Sequence, residues 1–204
     1  MTVKLVGSTS GSVSLQAPAS TTGGAHRVLT LQDVNGTVAT TTTAGKILQV
    51  VSAAKGDIQS WNGTSETEIT NLAPTITPSS ASNKILVLGT LYSSNSIASI
   101  TAYNVVKRSI NSGSFTTIGN HIDVSDSNST QAHGHGGPFN GTWNLMNSSI
   151  NFLDSPNTTN AIVYKWFLRS EDPGSTMYIN RTGRNNTIYH PKTISNLTLM
   201  EIAA

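Results

Sequence analysis

The sequence predicts an all-β protein, a jelly-roll-like β-sandwich preceded by a short β-rich segment. Ser, Thr and Asn fill about a third of the 204 residues, and their side chains compete for backbone hydrogen bonds in helix interiors. Charged residues are only 11% of the chain, against about 25% in an average globular protein, so coiled coils and long charged helices are poorly supported. Several segments alternate apolar and polar residues, which is typical of strands.

Residues 1–45 form the first predicted domain, a β stem or a segment that anchors the chain to a larger assembly. This stretch contains no aromatic residue, Val13 and Leu15 alternate with serines, and Asn35-Gly36 is a strong hairpin signal. Short repeated strands of this kind cannot bury their apolar face within one chain, because repeat units that stack to form a core need about three copies. We therefore expect neighbouring chains to complete this domain. A flexible Ser/Thr/Gly-rich tail is the alternative.

Residues 46–204 form the second predicted domain, a sandwich knob, because every aromatic residue lies there. Residues 84–92 are apolar on both faces, as expected of a strand covered on both sides. A hairpin turn is predicted at residues 111–114. Residues 162–169 alternate strongly, with Trp166 on the apolar side. Eight or nine such strands at short spacing favour a sandwich or jelly roll over an α/β fold.

Charge, cysteine content and hydropathy exclude several kinds of partner. The net charge is +2 with scattered basic residues, so no basic stripe marks a nucleic-acid interface. The absence of cysteine excludes disulfides and thiolate metal sites. The longest apolar run is far shorter than the roughly 20 residues of a membrane helix. The first residues lack the apolar region of a secretory signal, so we expect synthesis in a cytoplasm and no membrane span.

The sequence carries no convincing catalytic motif, and we expect that the protein is not an enzyme. Gly7 to Gly11 has the outline of a nucleophile elbow, but its central residue is Thr9. Glycoside hydrolysis needs two carboxylates opposed across a sugar. Acidic residues number only ten, and pairs such as Asp123 and Asp126 lie in polar surroundings. A hydrolase is therefore a disfavoured alternative.

The stretch from Asp123 to Gly137 is the candidate exposed loop or tip, because it is the longest part of the chain without apolar periodicity. His133 and His135 would point to the same face of an extended strand. On a three-fold axis, three such pairs would surround one nickel, zinc or iron ion. A solvated Gly-rich loop without metal is the alternative, and we expect no other cofactor.

Several blocks of the sequence carry a resemblance to a known family. The blocks are residues 11–18, 29–33, 36–38, 76–87, 153–158, 178–181 and 197–202. They resemble segments of tailed-phage virion proteins, notably those of cyanophages, and they follow one another in order over most of the chain. The resemblance implies a virion appendage, typically a homotrimer with a β-rich stem and a jelly-roll-like knob. It implies no catalytic residue.

The function that this resemblance implies is a homotrimeric tail or head fibre that contributes to host attachment. The partners would be other copies of the chain, other virion proteins through residues 1–45, and a glycan or protein of the host surface. Weak contacts repeated over three chains would then add up to avidity. Candidate contacts are Asp123, Asp126, Asn128, Gln131, His133, His135, Phe139 and Trp143.

Four alternatives remain open at the level of sequence. Trp143 can stack on a sugar ring if exposed, or belong to the core if buried. A capsid cement or decoration trimer would share the fold and the virion location but would not bind a receptor. A polysaccharide depolymerase would need converging carboxylates. A cellular jelly-roll ligand or lectin is disfavoured by the missing secretion signal.

Overall fold

The computed structural model describes seven stretches of the chain, residues 2–6, 12–16, 45–97, 100–119, 134–136, 144–184 and 188–204. For residues 2–6, 12–16 and 134–136 it describes the backbone alone. The described residues form strands and turns without an α-helix. Within them, therefore, no helix is long and apolar enough to cross a membrane. The predicted all-β class is confirmed.

The chain divides into two compact units, Met1–Ala39 and Thr40–Ala204. In the first unit, β1 (Thr2–Val6) pairs with β2 (Ser12–Gln16) in an antiparallel two-stranded sheet. Val3 lies opposite Leu15 in this register. An isolated pair of strands is marginally stable in water. The stem or anchor role of this segment stays a prediction, and the predicted turn at Asn35 lies outside the described residues.

The second unit contains twelve strands, β3 to β14, among the described residues. Their bounds are β3 (Ile47–Lys55), β4 (Gln59–Asn62), β5 (Thr67–Glu68), β6 (Thr75–Ile76), β7 (Lys84–Asn95), β8 (Ala102–Ile110), β9 (Thr116–Thr117), β10 (Gly134–Gly136), β11 (Met146–Asp154), β12 (Ile162–Ser170), β13 (Thr176–Ile179) and β14 (Ser195–Ile202).

These strands form two antiparallel sheets. Sheet I has the order β3-β14-β7, with β11 along the other edge of β7 and the β13-β4 pair continuing beyond β14. Sheet II has the order β10-β8-β12, with β5 and β6 on the outer edge of β12 and β9 beside β8. Each sheet therefore has a four-strand centre: β3-β14-β7-β11 in sheet I and β6-β12-β8-β10 in sheet II.

The order in which the chain visits the two sheets identifies the topology. It runs from β3 in sheet I to β6 in sheet II, back to β7, then to β8 and β10 in sheet II, and finally to β11, β12 and β14 in alternating sheets. Two four-stranded sheets connected in this way form an eight-stranded jelly roll built of two Greek keys. The predicted jelly-roll-like sandwich is confirmed, whereas the predicted trimer stays a prediction.

The inner face of sheet I is apolar in its middle rows and polar at both ends. Antiparallel register places inward-facing residues of β3, β14, β7 and β11 in rows across the sheet. The two middle rows are Val51, Leu199, Val87 and Phe152, followed by Ala53, Leu197, Gly89 and Ile150. The flanking rows are Gln49, Glu201, Ile85 and Asp154 at one end, and Lys55, Ser195, Leu91 and Ser148 at the other. The sandwich therefore has an apolar centre closed by polar side chains.

The contact between Trp166 and Gly89 sets how closely the two sheets approach. Trp166 lies in the middle of β12 and is fully buried, as the alternation of residues 162–169 predicts. A Cβ atom at Gly89 would lie 3.2 Å from the indole Nε1 of Trp166 and 2.8 Å from Cδ1 of Leu197. The missing side chain of Gly89 therefore makes room in sheet I for the largest side chain of sheet II.

The predicted hairpin turn after β8 is confirmed. Asn111 and Ser112 both adopt positive φ angles, 50° and 60°, and the backbone N–H of Gly113 donates to the carbonyl of Ile110 at 2.9 Å. Consecutive positive φ angles match the twist of the flanking strands. The turn brings β9 back beside β8.

The prediction that both faces of residues 84–92 are covered is confirmed for one face only. Sheet II covers the inward residues of β7, including Val87 and Leu91, which are fully buried. On the other face Leu86 and Leu88 are half-buried, and among the described residues of the second unit no further layer packs over them. The apolar residues on this outer face therefore need another explanation.

We predict that Gly89→Ala destabilises the sandwich, because the new Cβ would clash with Leu197, the backbone oxygen of Asn196 and Trp166 at 2.8–3.2 Å. Overpacking of a tight core costs about 1–3 kcal/mol, measurable by urea unfolding. Gly56→Ala is the control, because a Cβ there meets nothing within 4 Å. Equal stability of the two variants would contradict the proposed packing.

Candidate interaction surfaces

Most of the sequence-predicted site residues lie outside the described residues. This applies to Asp123, Asp126, Asn128, Gln131, His133, Phe139 and Trp143. His135 belongs to β10, whose backbone places it opposite Tyr103 of β8. Residues 134–136 therefore form a short strand on sheet II, whereas the rest of the predicted exposed loop or tip from Asp123 to Gly137 lies outside the described residues. The proposed receptor contacts and metal ligands stay predictions.

The described residues contain no group of three or more His, Cys, Asp or Glu side chains that could hold a metal ion. Their two buried carboxylates are Asp154 and Glu201. They lie in the same polar row of sheet I, on either side of Ile85. Hydrogen-bond donors surround both carboxylates, and the positions of these donors show which parts of the chain each carboxylate connects.

Asp154 ties the two sheets together at one end of the sandwich. It lies on β11 of sheet I and receives a 2.7 Å hydrogen bond from the Tyr164 hydroxyl of β12. Arg108 of β8 forms an ion pair with its other oxygen. Burial raises the pKa of Tyr164 well above its ordinary value of 10, and the negative charge of Asp154 raises it further. Tyr164 therefore acts as a permanent donor, and the cluster is structural.

Glu201 anchors the segment before β7 to the last strand. Its Oε1 accepts hydrogen bonds from the backbone N–H and hydroxyl of Ser79, at 2.7 and 2.8 Å, and from Nδ2 of Asn83. Its Oε2 accepts from Nε2 of Gln49 at 2.7 Å. Burial by itself would raise the pKa of Glu201, but the bonds from Asn83, Gln49 and Ser79 outweigh it and hold the pKa below its ordinary value.

Asn180 fixes the opposite end of sheet I. It adopts a φ of 62° after β13, and its Nδ2 donates to the carbonyls of Lys55 and Asp57 at 2.7 and 3.0 Å. Its Oδ1 accepts from the hydroxyl of Ser195 at 2.6 Å. The buried Lys55 ammonium pairs with Asp57 at 2.8 Å. These bonds join β3, β13 and β14.

The outer face of sheet II carries lysines whose charges are neutralised locally. Lys107 of β8 and Lys165 of β12 are direct register partners, an arrangement that repels when it is left uncompensated. Lys107 forms an ion pair with Glu66, and Lys165 forms one with Glu68 at 2.6 Å. The two carboxylates come from the β4–β5 connection and from β5 itself.

Two phenylalanine rings complete this outer face. Phe115 and Phe167 meet edge to face with ring centroids 5.2 Å apart. Nζ of Lys107 lies 5.4 Å from the centroid of Phe167, and Nζ of Lys165 lies 5.2 Å from that of Phe115. Both distances are within the range of cation–π attraction. Sheet II therefore covers much of its outer apolar surface with its own side chains.

The outer face of sheet I is different, because an apolar surface crosses it without such a cover. We call this surface the apolar band. Its members are Leu48, Val50, Leu86, Leu88, Leu153, Met200 and Ile202, which all face outward. Val50, Met200, Leu86 and Leu153 form one row across four strands. Leu48, Val50 and Leu153 are 43%, 55% and 45% exposed, so the described residues of the second unit leave the band uncovered.

The apolar band was not identified from the sequence, although a signal for it was present. Strand β7 is apolar on both faces, and β14 adds Met200 and Ile202 on the face opposite its core residues. Apolar residues on both sides of a strand indicate two covered faces. Only the strand order shows that these residues meet Val50 and Leu153 in one continuous surface.

Comparisons with known proteins give distant structural similarities alone. No protein-family model matches the chain, and no curated protein matches it. Solved structures of infectious bursal disease virus, strains Gx and Gt, align with TM-scores of 0.40 at 14% and 13% identity. The alignments cover 95% and 98% of this chain but only 43% and 50% of the viral chains. This chain thus spans half the length of those chains or less, and similarities this distant carry no argument about function.

We predict that Glu201→Gln lowers the free energy of unfolding at pH 7 by about 1–3 kcal/mol, because an amide cannot satisfy every donor around Oε1 and Oε2. The pKa of Glu201 is lower in the folded chain than its ordinary value of 4.5. Its charge therefore stabilises the fold above that pH, and this contribution is lost as the pH falls through the folded pKa.

Urea unfolding between pH 7 and pH 2 measures this effect. The stability difference between the wild type and Glu201→Gln should shrink as the pH falls below the ordinary value of 4.5. Glu171→Gln makes the same charge change at an exposed residue and should stay within about 0.5 kcal/mol of the wild type. A difference that is independent of pH would contradict the assigned role of the carboxylate.

Proposed function

We propose that this chain is a virion structural protein, a homotrimeric tail or head fibre appendage that contributes to attachment to the host surface. The observation that carries the proposal is where the blocks resembling cyanophage virion proteins lie in the fold. They contain the polar anchors that close the sandwich. Ser79 and Asn83 belong to the block 76–87, and they bind Glu201 of the block 197–202.

The other two blocks of the knob contain anchors of the same kind. Asp154, which ties β11 to β8 and β12, belongs to the block 153–158. Asn180, which joins three strands of sheet I, belongs to the block 178–181. Because the resemblance falls on residues that hold distant strands together, it supports a shared scaffold better than a similarity of surface loops would. A shared scaffold in turn supports a shared structural role.

The proposal also holds that the protein binds a ligand of the host and does not catalyse a reaction. The buried carboxylates of the described residues, Asp154 and Glu201, are both engaged in hydrogen bonds that hold strands and loops. A trimeric appendage would act by avidity, because contacts that are weak in one copy add up when several copies bind together. The expected ligand is a glycan or protein of the host envelope, and the candidate contacts remain those between Asp123 and Trp143.

The first test locates the chain on the particle. We expect mass spectrometry of purified virions to contain it and cryo-electron microscopy to show its jelly roll in a fibre projecting from the tail or head. Density in the capsid lattice would instead identify a cement or decoration protein. Absence of the chain from purified particles would contradict the proposal, and release of reducing sugars from host envelopes would favour a depolymerase.

The second test measures the assembly of the purified full-length chain. We expect light scattering to give about 64 kDa, three times the chain mass of 21.5 kDa, because closed symmetry is the usual form of a homo-oligomer. Sedimentation velocity over a hundredfold range of concentration is the independent measurement. A chain that stays monomeric throughout that range would contradict the homotrimer.

A further inference from the structure

The apolar band is the surface of this protein that the fold leaves without an explanation. Scattered exposed apolar residues are common on soluble proteins, but a continuous apolar patch marks an interaction site. Here Val50, Met200, Leu86 and Leu153 lie side by side in direct register across four strands. The two ends of this row, Val50 and Leu153, are 55% and 45% exposed.

The contrast with sheet II shows that the band is not a general property of this sandwich. Sheet II also has apolar rings on its outer face, yet it shields them with lysines that are 17% and 21% exposed and are each paired with a glutamate. Sheet I has no corresponding shield among its described residues. A cover for the band must therefore come from outside the described sandwich.

The charge pattern of the face indicates what that cover is. Three register rows cross sheet I, beginning at Val50, Ser52 and Ala54, and none of their positions holds a charged side chain. A strongly acidic or basic partner would find no complementary charge in these three rows, and the register places Lys84 opposite Ile202 at the edge of the band. Further copies of the same face match it in hydropathy, because the apolar rows of several copies can meet around a symmetry axis.

The dimensions of the face are compatible with contact between copies. Four strands about 4.8 Å apart and a two-residue repeat of about 6.7 Å give the band a footprint of roughly 300–400 Å². A stable interface buries about 800 Å² on each partner. The band thus supplies the apolar centre, and Ser52, Thr198 and Asn151 of the next row supply a rim able to form hydrogen bonds, which is the usual anatomy of an interface.

We propose that the apolar band is the contact through which copies of this chain associate. This inference rests on the homo-oligomer of the proposed function and assigns its interface to one face of sheet I. The described residues of the second unit leave the band uncovered. In the homotrimer the three bands would face the three-fold axis, where Val50, Leu153 and Met200 of each copy would be withdrawn from water against the bands of the other two copies.

The test compares two double variants of the full-length chain by sedimentation velocity and light scattering from about 1 to 100 µM. Val50→Lys/Leu153→Lys places two charges in the band. Ala54→Lys/Ser149→Lys places the same charges on the same two strands and the same face, in a polar row where both residues are exposed. We expect the first variant to weaken association at least about 100-fold, because each buried charge should cost more than tenfold. The second should associate as the wild type does.

Circular dichroism and thermal unfolding check that both variants fold. If the band variant does not fold, single cysteine substitutions test the same contact with a smaller change. The chain has no cysteine of its own, so only the introduced thiol is modified. Val50→Cys and Ala54→Cys each supply one thiol, whose rate of modification is measured in dilute and concentrated protein. We expect Val50→Cys to become protected as the chain associates, and Ala54→Cys to be protected less.

The outcomes separate this inference from the proposed function. Association that is unchanged in Val50→Lys/Leu153→Lys, or a Val50→Cys thiol that stays equally reactive in the oligomer, would overturn the band as the interface. A wild-type chain that is monomeric at 100 µM would overturn it as well. A chain that associates through the band yet is missing from purified virions would sustain the inference and contradict the proposed function.

Discussion

The close approach of the two sheets at Trp166 and Gly89 is the constraint on which the rest of the sandwich depends. Trp166 is the largest fully buried side chain, and it stands in the middle of the central strand β12. The absence of a side chain at Gly89 lets the indole approach sheet I closely, as a close-packed core requires. The apolar rows on either side of Gly89 then pack at the distance that this contact sets.

Beyond these rows, polar groups close both ends of the core in place of more apolar side chains. Such groups are costly to bury unless they are hydrogen-bonded, and here each has a structural use. Glu201 holds the segment before β7, Asp154 joins the two sheets, and Asn180 fixes the end of β3. Each anchor connects separate segments of the chain, and together the anchors close both ends of the core. The blocks that resemble phage virion proteins contain these anchors.

The two outer faces of the sandwich solve the problem of exposed apolar surface differently. Sheet II shields its rings with the ion-paired lysines Lys107 and Lys165. Sheet I presents the apolar band, with Val50 and Leu153 open to solvent. A protein that works as a separate molecule gains nothing from such a face, whereas one that works in an assembly can bury it against another chain. The asymmetry between the faces is therefore the structural feature that best fits the proposed role.

The sequence by itself determined the β class, the alternation of β12 around Trp166 and the hairpin turn at Asn111, because these depend on residues that are near one another in the chain. Only the tertiary structure decided the jelly-roll order and the partners of Glu201, one of which, Gln49, lies 152 residues away. It also decided that Val50 and Leu153 belong to one surface. The physical reason is that an alternating pattern shows that a strand has two faces, but it carries no information about which strands lie beside it or what covers each face.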